Sequence, residues 1–328
     1  MTRNPPSVTL GMPVYNAEKY LDAAIESVLG QTFGDLEIIL SDNASSDGTR
    51  DLCLKYVRLD RRVRYSRNKA NIGAGDNHRR VADLARGKYF KWQSRDDLCA
   101  PTFLEKCVQV LDSDPGVVLC HSLTTLIDQD GDVIGPYSRR LNTGSASAAE
   151  RFRQITWYDH KCFQIYGLIR TDAIRFAGNM PCCVHGDGIL LANLALQGRF
   201  HEIPEHLFFS RSHPDQSAQV VPKRLRTGRR RLTRSVGPQP PPEWWSPSFK
   251  GRITFPYLRI AGEYVSAIAQ VPLSLGDRCA SLLSMLPWLG KVAPRMGTDL
   301  MIALDQIADP ILNRGQNLSS KQYKEEVI

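Results

Sequence analysis

Along the first part of the chain, apolar positions switch between two periods. Val8, Leu10 and Met12 alternate, as in a strand, and Leu21, Ile25, Val28 and Leu29 then recur at helical spacing. "LEIILS" (36–41) is a second apolar run, followed by the turn residues "DNASSDGT" and a helix near 49–58. "VRYS" (63–66) predicts a short third strand. "NIGAG" (71–75) opens a helix with Val81, Leu84 and Ala85 on one face, and "KYFKW" (88–92) is a fourth strand. Pro101 stands at a favoured first helical position, ahead of a stripe of Phe103, Leu104, Cys107, Val108 and Leu111. "VVLCHS" (117–122) is a fifth strand. Strands alternating with helices predict an α/β fold with a mostly parallel sheet covered on both faces.

The pattern is less regular from 122 to 220. "IDQDGDVIG" reads as a hairpin through Asp130–Gly131. "GILLANLALQG" (188–198) is a helix with Gly198 at its C-terminal cap, and "RFHEIPEHLFFSRSH" reads as strand, turn, strand. Residues 223–243 form a basic, proline-rich linker. Beyond it, 250–312 is amphipathic and helical, with Leu300, Leu304, Ile307 and Ile311 at helical spacing, and the last residues are polar and frayed. The expected organisation is a domain over 1–220, divided at 121/122, a linker over 221–249 and a helical extension over 250–328.

Composition changes this picture little. The chain has 328 residues, 42% of them apolar, enough for one large domain or two ordinary ones. The net charge is +8, but 223–234, "KRLRTGRRRLTR", carries seven positive charges and no negative ones, so the excess sits in one segment. A single basic run without interleaved aromatics argues against a nucleic-acid partner. Next to Trp244–Trp245, and with Trp288 and Lys291 further on, it suggests either contact with an anionic membrane surface or a solvated loop with no partner. No apolar stretch reaches the length of a spanning helix, and "MTRNPPSVTL" has no signal-peptide pattern. A cytoplasmic protein, peripheral on the inner membrane face at most, is expected. The eight cysteines show no C-x-x-C pair and read as reduced core residues.

In an open parallel sheet, ligands bind beyond the carboxyl ends of the strands. The segments there are "PVYN" (13–16), "SDNASSDGT" (41–49), "RNKANIGAG" (67–75) and "QSRDD" (93–97). They bring Tyr15, Asp42, Asn43, Asn71, Asp96 and Asp97 to one cleft. Each residue has a plain reading as a turn former or helix cap. The combination is not explained that way, since adjacent carboxylates beside an apolar strand need compensation.

The ordered segments "VTLGMPVYNAEKYLDAAIESVLGQTF", "DLEIILSDNASSDGT", "NIGAG" and "GKYFKWQSRDDLCAPTFLE" resemble a family 2 glycosyltransferase of the inverting GT-A class. The likeness is dense over about the first 120 residues, continues through "HGDGILLANLALQGRFHEIPEHLFFSRSHPDQS" (185–217), and covers little of the C-terminal third. It implies a GT-A fold with a Rossmann-like sheet. Pro13 and Tyr15 would line the base pocket, Asp42 would accept a hydrogen bond from the base with Asn43 beside it, and Asn71 and Gly73 would form the adjoining wall. Asp96 and Asp97 match the end of the family's acidic motif, which holds Mn2+ or Mg2+ and the ribose. The motif's first carboxylate is replaced by Ser94, which suits a ribose hydroxyl better than a hard dication. Arg95 is expected to pair with a nearby carboxylate. Asp187 in "HGDG" resembles the catalytic base; its plain reading is a cap for the following helix. Arg211 resembles a residue approaching the diphosphate, and His213 a further metal ligand. The Q-x-x-R-W signature of processive synthases is absent.

The resemblance implies an enzyme that moves a sugar from a UDP-, GDP- or dTDP-sugar to a carbohydrate, lipid-linked or protein acceptor. A non-catalytic nucleotide-sugar binder, given Ser94, is an alternative. So is a nucleotidyltransferase of related fold, though "GMPVYNAEKY" lacks its glycine-rich basic loop.

Overall fold

The computed structural model describes residues 5–214, 216 and 242–312. The element order begins β1 (Val8–Val14), α1 (Glu18–Leu29), β2 (Leu36–Asp42), α2 (Thr49–Leu59), β3 (Val63–Arg67), α3 (Ala74–Asp83), β4 (Tyr89–Trp92). It continues through β5 (Leu98–Cys99), α4 (Phe103–Ser113), β6 (Val117–Ile127), β7 (Val133–Pro136), α5 (Ala148–Trp157), β8 (Leu168–Arg170) and α6 (Thr171–Phe176). It closes with α7 (Gly186–Gln197), β9 (Arg199–Arg211), α8 (Pro242–Trp245), α9 (Pro256–Gln270) and α10 (Leu275–Leu312).

The strands form one sheet in the order β3-β2-β1-β4-β8-β6-β9-β5, with β7 on β6. β3, β2, β1 and β4 are parallel neighbours. β8 is antiparallel to both β4 and β6, so β6 runs with β1, and β9 is parallel to β6. Only β5, β7 and β8 are reversed among the described residues. The GT-A arrangement expected from the sequence is thus observed, with α1, α2 and α4 on one face and α3, α5, α7, α9 and α10 on the other.

Residues 199–211 make one bent strand rather than strand, turn, strand. Ile203 pairs with Ser122 and His206 with Leu123, leaving Pro204 and Glu205 as a bulge. Proline lacks the N–H a ladder needs, so the pairing skips it and resumes. The bend carries the strand end back to the site. The Asp130–Gly131 hairpin forms as expected, with Gly131 at φ 98°.

α9 and α10 share a core with α5 and α7. Tyr264 meets Phe152 and Trp288 edge-on, at centroid distances of 5.5 and 5.2 Å. The C-terminal helices are therefore welded to the α/β body rather than set apart from it. Trp288 is buried and turned into the core, whereas Lys291 is exposed and donates to Asp159 at 2.9 Å. The buried side of α10 is carried by Met285, Trp288, Val292 and Ala303, while Leu300, Leu304 and Ile307 are exposed. Ile311 has no described side chain, and the basic run 223–234 lies outside the described residues. Among the described residues, no helix is long and apolar enough to cross a membrane. All eight cysteines are free, as expected, and six of them are buried.

Candidate active site

The parallel strands β1 to β4 end on one edge of the sheet, and a web of side chains fixes the loops that follow. Asp42 is fully buried. Its Oδ1 accepts from Ser45 N at 2.8 Å, and its Oδ2 accepts from Tyr65 Oη at 2.7 Å and Arg67 Nη1 at 2.6 Å. Burial alone raises the Asp42 carboxyl, but the Tyr65 and Ser45 hydrogen bonds and the Arg67 charge outweigh it and hold the pKa below its ordinary value. Asn43 is as closely engaged. Its amide donates to Asn71 Oδ1 at 2.8 Å and to the Gly73 carbonyl at 3.2 Å, and its Oδ1 accepts from Asn68 and from Ile72 N. Asn77 extends the web by donating to the Ser41 carbonyl at 2.9 Å. Tyr65, Arg67, Asn68 and Asn77 were not singled out from the sequence. The clustering of asparagines over 68–77 was the available signal.

Asn71 and Gly73 stand together, as expected. Gly73 has φ 89°, a conformation that favours glycine. A Cβ there would lie 2.6 Å from the Trp245 carbonyl oxygen, so the α8 segment packs directly on this wall. Trp244 and Trp245, expected beside a membrane, are instead partly buried here, edge to face at 4.8 Å. Tyr15 is 42% exposed at the mouth of the cleft, and Pro13 pairs with Ser41 in the sheet.

The acidic loop is held from inside. Gln93 is fully buried and donates to the Asp97 carbonyl at 2.7 Å. Arg95 donates to the carbonyls of Tyr15 and Asn16, not to a carboxylate, because the end of β1 leaves those carbonyls unpaired in the sheet. Ser94 donates to Asp96 Oδ1. Asp96 Oδ2 lies 2.8 Å from His213 Nε2, and the other ring nitrogen of His213 is buried without a partner. Asp97 turns away from this pair: its Oδ1 accepts from Arg211 N at 2.8 Å. Burial, then the charge of Asp96, pushes the Asp97 carboxyl up to about 8. Arg211, expected near a diphosphate, is buried with its guanidinium on the carbonyls of Asp96, Asp128 and Gln129. It latches the end of β9 to the loop.

Asp96 Oδ2 and His213 Nε2 converge, so these two side chains could hold a divalent cation between them.

Asp187 lies in the first turn of α7, where a carboxylate complements the helix dipole. Its Oδ1 accepts from Gly188 N at 2.7 Å, and its side chain is 41% exposed. Tyr166 connects it to the acidic loop. The Tyr166 hydroxyl is pushed well above its ordinary pKa by burial and then by the charges of Asp97, Asp96 and Asp187 together. Both acidic groups thus act on one side chain, although about 90 residues separate them in the chain. Tyr166 and the neighbouring Cys162 and His185 were not predicted as site residues.

The family model described as glycosyl transferase family 2 matches residues 9–173, half of the chain. The chain belongs to glycosyl transferase family 2. It is similar to an uncharacterized glycosyltransferase of Methanocaldococcus jannaschii, 32% identical over 131 residues, which are 39% of this chain and 45% of the relative. It is also similar to chondroitin synthase of Escherichia coli, 30% identical over 46% of this chain and 23% of that protein. A putative teichuronic acid biosynthesis glycosyltransferase of Bacillus subtilis is 32% identical over 40% of this chain and 52% of its own length. The chain thus spans about half or less of these relatives. Among solved structures, S. aureus TarS in complex with UDP-GlcNAc superposes with a TM-score of 0.62 at 12% identity, covering 92% of this chain and 81% of that one. This likeness shows the fold. The family is one of enzymes, and Asp96 and Asp97 lie on the sheet edge where the loops after β1 and β4 meet through Arg95.

Proposed function

We propose that this glycosyltransferase moves one sugar per encounter from a nucleoside-diphosphate sugar to an acceptor hydroxyl, with inversion, in polysaccharide assembly. The observation that carries the reading is the polar web on the carboxyl edge of β1 to β4, where Asn43 holds the Asn68–Gly73 loop and Asp96 meets His213. The relatives named for chondroitin and teichuronic acid support the acceptor class, and the TarS complexes with UDP and UDP-GlcNAc make a uridine-linked sugar the first donor to test.

In this reading Tyr15 and Pro13 flank the base. Asp42 and Asn43 build its floor, and the Asn71–Gly73 loop forms the wall. Ser94 and Asp96 take the ribose and the metal edge. Asp96 and His213 would hold a divalent cation, which would supply charge neutralisation for the departing diphosphate. Asp187, with its side chain 41% exposed, takes the proton from the acceptor hydroxyl as its oxygen attacks the anomeric carbon on the face opposite the leaving group.

The test is incubation with a panel of UDP-, GDP- and dTDP-sugars, with and without Mn2+, reading nucleoside-diphosphate release and the product anomer by NMR. Metal-dependent release from one donor with an inverted linkage is expected. A retained linkage, or no release with any donor and acceptor, overturns the reading.

A further inference from the structure

Cys162, His185 and Asp187 come from two separate segments, yet Sγ, an imidazole nitrogen and a carboxylate oxygen all lie within 4.8 Å of one another. No other trio of His, Cys, Asp or Glu gathers this closely among the described residues. The Mn2+ or Mg2+ chemistry of the acidic loop does not use Cys162 or His185.

The local fold aims these side chains. Cys162 has φ 53° and His185 φ 64°, left-handed conformations that non-glycine residues adopt only when the surroundings hold them there. Cys162 N donates to His160 Nδ1 at 3.1 Å, while His160 Nε2 is engaged with the Ile155 carbonyl, so His160 orients Cys162. Gly188 makes room for the imidazole: a Cβ there would lie 2.1 Å from His185 Nε2. Cys162 is buried at the back, whereas the side chains of His185 and Asp187 are 37% and 41% exposed, leaving a path for an ion.

We propose that Cys162, His185 and Asp187 form a binding site for one borderline-soft divalent cation, with zinc the best match. A thiolate, an imidazole and a carboxylate are the donor types of zinc sites, and three protein ligands leave a fourth position open. Donors around tetrahedral zinc stand about 3.5 Å apart, given zinc–ligand distances of about 2.0–2.3 Å. Small rotations of the two exposed side chains close the present spacing. One thiolate and one carboxylate neutralise a dication, offsetting the repulsion of the α7 N-terminus. The thiol proton leaves to solvent as the metal–sulfur bond forms. Zinc here occupies the carboxylate proposed as the base, so it inhibits transfer. That consequence, unlike the site itself, rests on the proposed function.

The experiment is titration of the whole protein with Co2+, following the thiolate-to-cobalt charge-transfer absorption, with Zn2+ as competitor. One saturable band at one equivalent, displaced by Zn2+, is expected. It should be absent in Cys162→Ser and present in Cys279→Ser and Cys183→Ser. His185→Gln is a second variant at a more exposed position, with folding checked by circular dichroism. Loss of an outer-shell partner alone costs about 10–100-fold in metal affinity, so loss of this ligand should weaken binding at least that much. No band, or a band unchanged in Cys162→Ser and His185→Gln, overturns the site. A band without zinc inhibition of transfer upholds the site and counts against Asp187 as the base. Loss of turnover in Asp187→Asn, together with no band in the native protein, overturns the site and upholds Asp187 as the base.

Discussion

His213 Nε2 lies 2.8 Å from Asp96 Oδ2, across 117 positions of sequence. The bend of β9 makes this meeting possible, and the Asp97–Arg211 hydrogen bond beside it holds the strand end in place. The two adjacent aspartates therefore have different tasks. Asp96→Asn and His213→Ala should each raise the Mn2+ concentration for half-maximal activity by at least about tenfold, whereas Asp97→Asn, which can still accept from Arg211 N, should shift it much less. Equal shifts in Asp96→Asn and Asp97→Asn would place both carboxylates on the metal.

Asp187 tests the chemistry without the donor. Asp187→Asn should leave donor affinity near the native value and lower turnover by about 10²–10⁴-fold, the usual worth of a positioned proton acceptor. Isothermal titration with the donor nucleotide, alongside initial rates, separates the two effects. If donor affinity falls together with turnover, the residue serves the helix start rather than the reaction.

The sequence made much of this legible, for physical reasons. Alternating and helical periods placed β1 to β4 and their helices, because those elements bury one face or both against a single sheet. The carboxyl-edge rule then brought Asp42, Asn43, Asn71, Asp96 and Asp97 together. What it missed depends on long-range packing. Nothing local shows that Arg95 reaches the end of β1, that Arg211 binds carbonyls rather than phosphate, or that Trp245 lies on Gly73. Cys162 and His185 were equally hidden, because their left-handed backbones are imposed by the fold and not by their residue types.

Asp42 makes the fold sensitive to acid. Its folded pKa lies below the ordinary value, so its stabilisation is fully present above that ordinary range, about 4, and is lost as the pH falls through the lowered folded value. Asp42→Asn removes a buried carboxylate that accepts from Tyr65, Ser45 and Arg67 and should cost about 1–3 kcal/mol at neutral pH. Urea unfolding at pH 7 and pH 3 measures this: the gap between native and variant should narrow at the lower pH. A constant gap would mean the hydroxyl and backbone donors, not the charge, carry the interaction.

Gly73 carries the contact between the donor-pocket wall and the C-terminal part. Gly73→Ala strains a backbone at φ 89° and drives a methyl group toward the Trp245 carbonyl at 2.6 Å. A loss of about 1–3 kcal/mol is expected from the strained backbone alone. Trp245 should also become more accessible to fluorescence quenchers, because its backbone is what the methyl displaces. A destabilised variant with unchanged tryptophan quenching would show that the strain is absorbed on the α3 side.

Ser94→Asp is the sharpest test of the acidic loop. In the native chain Ser94 donates to Asp96, so the carboxylate has a neutral partner. An aspartate at 94 replaces that donor with a second negative charge facing Asp96, and the loop already burdens Asp97, pushed up to about 8. Without a cation, repulsion should lower the melting temperature. With Mn2+, the added carboxylate should tighten binding and lower the concentration for half-maximal activity, so thermal stabilisation by metal should grow at both ends. Thermal melts with and without Mn2+ read both effects at once. A variant that melts like the native protein in metal-free buffer, or that gains nothing from Mn2+, would show that residue 94 points away from Asp96 once the serine hydrogen bond is gone.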